Sequence, residues 1–208
     1  MKIYIIPMLL AAVLLSACSP PRPPQLEQGT LLPSARAITD FQLTDHNGKP
    51  FTHENLKGKW SFAFFGYTHC SDICPTSLSM LAQVIRNLKK DDTLDTPPQV
   101  VFVSVDPERD TPELLAEFMP HFDPDFIGAT GDPEQLLILT RQLGTFFGKA
   151  PDDNADDYRV NHSAAIILFD PEGNFRAVFG APHDPALIAQ DFIAIKNYYE
   201  ATDGRKKS

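Results

Sequence analysis

Runs of apolar residues separated by polar turns predict a sheet of buried and half-buried strands. Nearly continuous apolar runs, typical of strands covered on both faces, occur at Trp60–Tyr67, Gln99–Val105 and Ala164–Phe169. The last of these is expected to form an antiparallel hairpin with Phe175–Phe179. An Asn-Gly step at Asn47, between two short alternating runs, predicts another hairpin near the beginning of the chain.

Helical periodicity fills the intervals between these strands. Leucine and isoleucine residues spaced three or four positions apart predict a helix from about Pro75 to Lys90. Elsewhere a capping residue directly precedes a proline, which predicts helices over Pro112–Met119, Pro133–Phe147 and Pro185–Glu200. The order β-α-β-α-α-β-β-α, after a leading hairpin, predicts an α/β protein. We expect a single thioredoxin-like domain with a central mixed sheet flanked by helices.

The composition fits one globular domain. The 208 residues are 43% hydrophobic, which suffices for one sizeable core, and carry a formal net charge of −9. An acidic chain without a run of lysine and arginine lacks the basic surface that binds nucleic acid. We therefore expect no nucleic-acid partner.

The first residues predict export and attachment to a lipid. The apolar run Ile3–Leu15 is too short to span a bilayer stably and is typical of a signal peptide, here residues 1–17. Leu15–Cys18 resembles the bacterial lipobox, in which the cysteine is acylated; the alternative is a plain secretory signal with an incidental cysteine. Acylated Cys18 would anchor the protein as a lipoprotein in the bacterial cell envelope, on the periplasmic side of a membrane.

A proline-rich stretch follows Cys18. Residues 18–35 have no apolar period, and Ser19–Ser34 is expected to adopt an extended polyproline conformation. This stretch is interpreted as a linker that holds the domain away from the lipid. Residues 36–208 are then the folded domain.

Two cysteines lie where the first buried strand is followed by the first helix. Cys70 and Cys74 are separated by three residues, and Cys74 is expected next to the helix N-terminus, where the macrodipole lowers the pKa of a thiol. A thiolate there is a nucleophile or a metal ligand. In an oxidising compartment the pair forms a disulfide unless a reductant or a metal prevents it, so a purely structural disulfide is a further alternative.

His162 is the strongest candidate for a third ligand. It lies at the beginning of a buried strand, and parallel neighbouring strands can bring that loop close to the first helix. The other histidines have weaker claims: His46, His53, His69, His121 and His183. Two thiolates and one imidazole suit Cu(I) and can hold Cu(II), but zinc accepts the same ligands with a fourth position open.

Three segments resemble the signature segments of the Sco/SenC family. The members of this family are membrane-tethered copper chaperones for cytochrome c oxidase assembly. The segments are Phe65–Pro75, Val103–Pro112 and Val160–Ser163. The resemblance implies that Cys70, Cys74 and His162 bind one copper ion, as Cu(I) or Cu(II). It also implies that the cysteine pair can cycle between dithiol and disulfide.

The same resemblance implies partners. The acceptor would be the CuA domain of cytochrome c oxidase subunit II, and a copper donor chaperone would supply the metal. Asp72 and Asp106 match acidic positions of the family pattern and are expected to support the ligands or to contact a partner. Asn161 stands where aspartate is common in the family, and the lipobox stands where many members carry a transmembrane anchor.

Two function classes therefore compete. The first is a membrane-tethered copper-binding metallochaperone that delivers copper to the CuA site. The second is a thiol-disulfide oxidoreductase that keeps the CuA cysteines reduced, with Cys70 and Cys74 as its catalytic redox pair. A copper or redox sensor is weaker because the chain shows no output module, and a peroxidase is weaker still because the Pro-x-x-x-Thr-x-x-Cys pattern of peroxiredoxins is missing.

Overall fold

The protein is an α/β structure in the computed structural model, which describes residues 21–92, 94–150 and 158–202. The strands are β1 Gly29–Arg36, β2 Gln42–Asp45, β3 Pro50–Thr52, β4 Ser61–Gly66, β5 Gln99–Ser104, β6 Ile127–Thr130, β7 Phe147–Lys149, β8 Val160–His162, β9 Ile166–Phe169 and β10 Phe175–Phe179. The helices are α1 Ile73–Leu88, α2 Pro112–Phe118, α3 Pro133–Leu143 and α4 Pro185–Thr202, with 3₁₀ turns at His53–Leu56 and Met119–His121.

Within the described residues, most strands join one mixed sheet in the order β1-β10-β9-β4-β5-β6-β2-β3. Strands β4, β5 and β6 run parallel to one another, and the remaining neighbours are antiparallel. Every residue of β4 is buried, as its continuous apolar sequence predicts. Short strands β7 and β8 form a separate two-stranded sheet. This architecture confirms the predicted thioredoxin-like fold with its mixed sheet and leading hairpin.

The chain divides into two compact units. Residues Leu26–Asp191 form the larger unit, which contains the sheet. The smaller unit combines the first 25 residues with the stretch from Phe192 onward, and the structure describes residues 21–25 and 192–202 of it. No described helix has the length and hydropathy needed to cross a bilayer.

The predicted linker is wrong from Gly29 onward, because that part of it is strand β1. Strand β1 pairs antiparallel with β10, and the register shifts between Leu31 and Arg36, where Pro33 lies. A bulge tolerates proline because a residue there need not donate to the ladder. The buried carboxylate of Asp191 fixes the preceding turn by accepting hydrogen bonds from the backbone N–H groups of residues 27–29.

Two further differences concern the segment after α2. Strand β6 was not predicted, because Ile127–Thr130 is short and contains a glycine. Helix α3 ends at Leu143, not at Phe147, since Gly144 adopts a left-handed conformation with φ 69° that terminates the helix. Phe146 is therefore outside the helix and is 64% exposed.

Several predictions concern residues outside the described ranges. The signal peptide, Cys18 and the beginning of the linker lie there, as does the acidic loop predicted at residues 151–157. These remain predictions.

Candidate metal centre

Cys70, Cys74 and His162 converge on one point, as predicted. Their ligand atoms all lie within 4.8 Å of one another. The Cys74 sulfur is 3.3 Å from Nε2 of His162, although 88 positions separate the two residues. Both cysteines are free thiols. The group is large enough to enclose one metal ion and has no other His, Cys, Asp or Glu ligand among the described residues.

The junction between β4 and α1 places Cys74. Gly66 ends the strand, and Cys74 is the second residue of the helix, with an exposed fraction of 0%. A Cβ atom added to Gly66 would lie 2.7 Å from the Cys74 sulfur and 2.8 Å from a Phe102 ring carbon. A residue without a side chain is therefore required beneath the thiol. Cys70, in the preceding loop, is only partly buried.

The predicted effect of the helix N-terminus on Cys74 is wrong for the metal-free protein. Burial raises the pKa of Cys74 well above its ordinary value, and the neighbouring Cys70 raises it further. A backbone hydrogen bond from Tyr67 acts in the opposite direction but is the smaller effect. The thiol at this position is protonated at neutral pH until a metal ion displaces the proton.

His162 is held in the tautomer that a metal ligand requires. Its Nδ1 lies 3.2 Å from the Ser163 carbonyl oxygen, to which it donates, so the Nε2 lone pair faces Cys74. Burial lowers the pKa of His162, which keeps the imidazole neutral at neutral pH. The rings of Phe64 and Tyr67 meet it edge-to-face, with centroids 6.0 and 5.8 Å away. These contacts fix the ring plane before any metal arrives.

Asp110, which the sequence analysis did not identify, holds the loop that carries Cys70. Its fully buried carboxylate accepts hydrogen bonds from the Thr68 backbone N–H at 2.8 Å, the Thr68 hydroxyl at 2.6 Å and the Ser104 hydroxyl at 2.6 Å. These three hydrogen bonds compensate the burial of the carboxylate. Asp110 lies in the loop after β5, and nothing local in the sequence indicates its contact with Thr68, 42 positions away.

Asp106 supports the strand that carries His162. Its side chain is only 2% exposed, so the alternative prediction, that Asp106 contacts a partner, is wrong. It accepts hydrogen bonds from Arg109 Nε and from the Tyr158 hydroxyl, each at 2.6 Å. The Arg109 guanidinium stacks 3.7 Å above the Tyr158 ring and lies 5.7 Å from the Tyr67 ring centre. Tyr158 begins the segment that leads into β8, so this network ties the His162 strand to the β5 loop.

The remaining candidates lie around the metal group. Asp72 is the N-cap residue of α1, is exposed and makes no side-chain capping hydrogen bond. His69 is 52% exposed, and its Nδ1 faces the Thr68 hydroxyl at 3.1 Å and Asp110 at 3.7 Å. It does not join the metal group. His46, His53, His121 and His183 also lie outside it.

A family model described as SCO1/SenC matches residues 30–197. The chain belongs to the SCO1/SenC family. It is 43% identical over 145 residues to Protein SCO2, mitochondrial, of Saccharomyces cerevisiae, a match that covers 69% of this chain and 48% of the yeast protein. It is 35% identical over 195 residues to an SCO2-like protein of Rickettsia felis, covering 91% of this chain and 94% of that one.

The chain spans about half the length of the eukaryotic relatives it matches, 42 to 59%. Among solved structures of the SCO1/SenC family, it is similar to Arabidopsis thaliana ScoI, a crystal structure with copper bound. The TM-score is 0.73 at 37% identity, and the match covers 78% of this chain and 99% of the other. The sequence resemblance is thereby confirmed at the level of the family and the fold.

Proposed function

We propose that the chain is a membrane-tethered copper-binding metallochaperone that delivers copper to the CuA site of cytochrome c oxidase subunit II. The observation that carries the proposal is the convergence of two thiols and one imidazole within 4.8 Å. Membership of the SCO1/SenC family, and the bound copper of the Arabidopsis relative, support it. Cys70, Cys74 and His162 are the proposed ligands of one copper ion.

The ligand set favours copper over structural zinc. A structural zinc site is closed by four ligands, whereas the described residues provide three. Two thiolates and a neutral imidazole form a soft, three-coordinate set that Cu(I) accepts without a further protein ligand. The edge-to-face rings of Phe64 and Tyr67 shield the imidazole side of this set.

The unequal burial of the ligands suits delivery. Cys74 is fully buried and His162 lies in a strand, whereas Cys70 is partly exposed in a loop. An acceptor thiolate can therefore approach the ion from the Cys70 side. Cu(I) would pass by ligand exchange, in which an acceptor sulfur binds as Cys70 leaves, and the copper keeps its oxidation state throughout.

We further propose that acylated Cys18 anchors the protein on the periplasmic side of a membrane of a bacterial cell envelope. The Pro-rich residues before β1 would then separate the domain from the lipid. A copper donor chaperone in the same compartment would load the site. Mass spectrometry of the purified protein tests the anchor, since an unmodified Cys18 thiol would contradict it.

Anaerobic titration of the reduced full chain with Cu(I) tests the metal site. The proposal requires saturation at one equivalent and transfer of that copper to the apo CuA domain. His162→Ala should weaken Cu(I) binding by about 100-fold. Loss of a residue that only supports a ligand weakens metal binding by up to about 100-fold, and loss of a ligand itself should cost at least as much. The exposed His121→Ala is the matched control. If His162→Ala binds Cu(I) as tightly as the parent, His162 is not a ligand.

The second candidate is a thiol-disulfide oxidoreductase that keeps the CuA cysteines reduced. The two free thiols in mutual contact favour it. The raised pKa of Cys74, caused by burial, opposes it, because a protonated thiol is a poor nucleophile. Reduction of an oxidised CuA domain by the His162→Ala variant, at the parent's rate, would establish this function instead.

A further inference from the structure

Two residues with exposed apolar side chains lie next to metal ligands along the backbone. Among the described residues, the large hydrophobic side chains that remain exposed are Ile73 at 42%, Leu137 at 39% and Phe146 at 64%. Ile73 directly precedes Cys74 at the first position of α1. The carbonyl oxygen of Phe146 accepts a hydrogen bond from the N–H of Ser163, the residue after His162. Two of these three residues thus adjoin metal ligands, Ile73 along the chain and Phe146 through a backbone hydrogen bond, whereas Leu137 lies on α3.

A groove of about 510 Å³ begins at Ile73 and follows α1. Thr76 and Met80 line it on the helix, and Pro182 and His183 line it on the facing loop. The His183 ring faces the Phe179 carbonyl through Nε2 at 3.3 Å, which fixes this wall. The groove is large enough to receive an apolar side chain from another molecule.

Asp72 contributes a negative charge to this face. Asp72 lines the mouth of the groove, is exposed and has no ion-pair partner in the part of the chain that the structure describes. Two thiolates and one Cu(I) ion add a further net negative charge at the loaded metal group. A molecule that covers this face must therefore offer apolar contacts together with positive charge.

We propose that Ile73, Phe146 and the groove along α1 form the docking surface for the protein that accepts the metal. The inference rests on the proposed delivery function and deepens it. The acceptor presents an apolar side chain to the groove and a lysine or arginine to Asp72. Because Cys74 is fully buried and Cys70 and His162 are half-buried, an acceptor sulfur reaches the ion when the acceptor lies against this face.

A lipid surface is the less favourable occupant. The leaflets of bacterial membranes that contain anionic lipids repel an unpaired carboxylate and an anionic metal group. A lipid surface also offers no thiol that could accept the copper. Hydrogen exchange, measured with the acceptor protein and separately with lipid, distinguishes the two occupants.

The test measures binding of the copper-loaded full chain, in detergent, to the apo CuA domain. Ile73→Ser and Phe146→Ser are each expected to raise Kd by about tenfold, as for truncation of a buried interface side chain. Leu137→Ser, at a position about as exposed as Ile73, is the matched control and should leave Kd unchanged. All three variants should keep the Cu(I) affinity of the parent, measured against a chromophoric chelator. Asp72→Lys should slow association most strongly at low salt.

Each result decides between named explanations. Equal Kd values for the three serine variants, with copper transfer intact, overturn the docking surface and leave the delivery function standing. Failure of the parent chain to bind or load the CuA domain overturns both. Hydrogen exchange supplies the lipid comparison: protection of residues 72–77 and 145–148 on adding the CuA domain supports the proposal. Protection of the same residues by phosphatidylglycerol-containing nanodiscs alone overturns it.

Discussion

Cys74 Sγ and His162 Nε2 lie 3.3 Å apart, so the buried thiol donates a hydrogen bond to the neutral imidazole in the metal-free protein. Burial raises the pKa of Cys74 and lowers the pKa of His162, and both shifts favour the uncharged pair. The resting site therefore has no net charge from these two groups. A soft cation that replaces the shared proton gains a thiolate and an imidazole ligand at once.

The first prediction concerns proton release on copper binding. Because the raised pKa of Cys74 lies above neutral pH, this thiol is protonated throughout the range from about pH 6.5 to 8.5, and each Cu(I) must displace its proton. That one proton makes the affinity rise by about tenfold per pH unit. Competition with a chelator of known pH dependence measures the slope.

Cys74→Ser provides the comparison for this slope. Removing the thiol should reduce the number of protons released per copper ion by about one, whatever the contribution of the other ligands. An unchanged slope would mean that Cys74 is already ionised before the metal arrives. The helix-dipole expectation would then be correct and the burial argument wrong.

The second prediction concerns Gly66, which lies beneath the Cys74 sulfur. A methyl group there would meet Cys74 at 2.7 Å and Phe102 at 2.8 Å, and both neighbours are fully buried. Gly66→Ala should therefore lower the free energy of unfolding by about 1–3 kcal/mol, the usual cost of overpacking. It should also weaken Cu(I) binding by displacing the thiol. Urea denaturation and chelator competition measure the two effects.

Gly148→Ala is the control for Gly66→Ala. Gly148 lies on β7, opposite Asn161, and a Cβ atom added there has no neighbour within 4 Å. This variant should retain the stability and copper affinity of the parent to within a few tenths of a kcal/mol. If Gly66→Ala and Gly148→Ala change the stability and the copper affinity equally, the protein relieves the close contact at Gly66 without displacing Cys74.

The sequence was sufficient for those parts of the site that local patterns encode. The strand-to-helix change around Cys70 and Cys74 is visible in the apolar spacing, and His162 follows from its position before a buried strand. The pKa of Cys74 was not predictable, because it depends on burial by residues distant in sequence. The role of Asp110 was hidden for the same reason, since Thr68, its main partner, is 42 positions away.

The fold shows the same division. Strand β4 has a continuous apolar sequence, and its predicted bounds differ from the observed ones by one residue at each end. Strand β1 contains Pro33 and few apolar residues, and only pairing with β10 makes it a strand. Strand β6, similarly, is specified by its neighbours β5 and β2 more than by its own residues.

The third prediction concerns the buried carboxylate of Asp110. Its oxygens accept three hydrogen bonds that position the loop before Cys70. Asp110→Asn replaces one acceptor oxygen by a donor that faces other donors, so the variant should lose about 2 kcal/mol of stability. Since the loop positions a ligand, the Cu(I) affinity should fall by about tenfold. Asp132→Asn, an exposed carboxylate at the N-terminus of α3 without a capping hydrogen bond, is the matched control.

The stability and the affinity of Asp110→Asn answer different questions. A loss of stability with unchanged copper affinity would limit Asp110 to a role in folding. Rescue of the affinity at low temperature, where the variant is fully folded, would point the same way. A loss of affinity in fully folded protein, with no loss in Asp132→Asn, assigns Asp110 the positioning role.

The fourth prediction concerns the pH dependence of stability without copper. Burial lowers the pKa of both His162 and His183 below the value of 6.5 expected in the unfolded chain. As pH falls through 6.5, the unfolded state therefore binds protons that the folded state does not, and the free energy of unfolding decreases. Carboxylates with a lowered pKa, such as Glu108, change the free energy of unfolding only when the pH falls below their ordinary pKa of 4.5. The histidine effect is thus isolated between about pH 4.5 and 6.5.

Urea denaturation of the metal-free protein at intervals between pH 7.5 and 5 measures this decrease. His162→Gln and His183→Gln should each flatten the curve below pH 6.5, and the double variant should flatten it further, because each removes one buried imidazole that resists protonation. The exposed His121→Gln should leave the curve of the parent unchanged. A parent curve that is flat from pH 7.5 to 5 would mean that both imidazoles accept protons in the folded state. The neutral, metal-ready form of His162 would then be lost as soon as the compartment becomes mildly acidic.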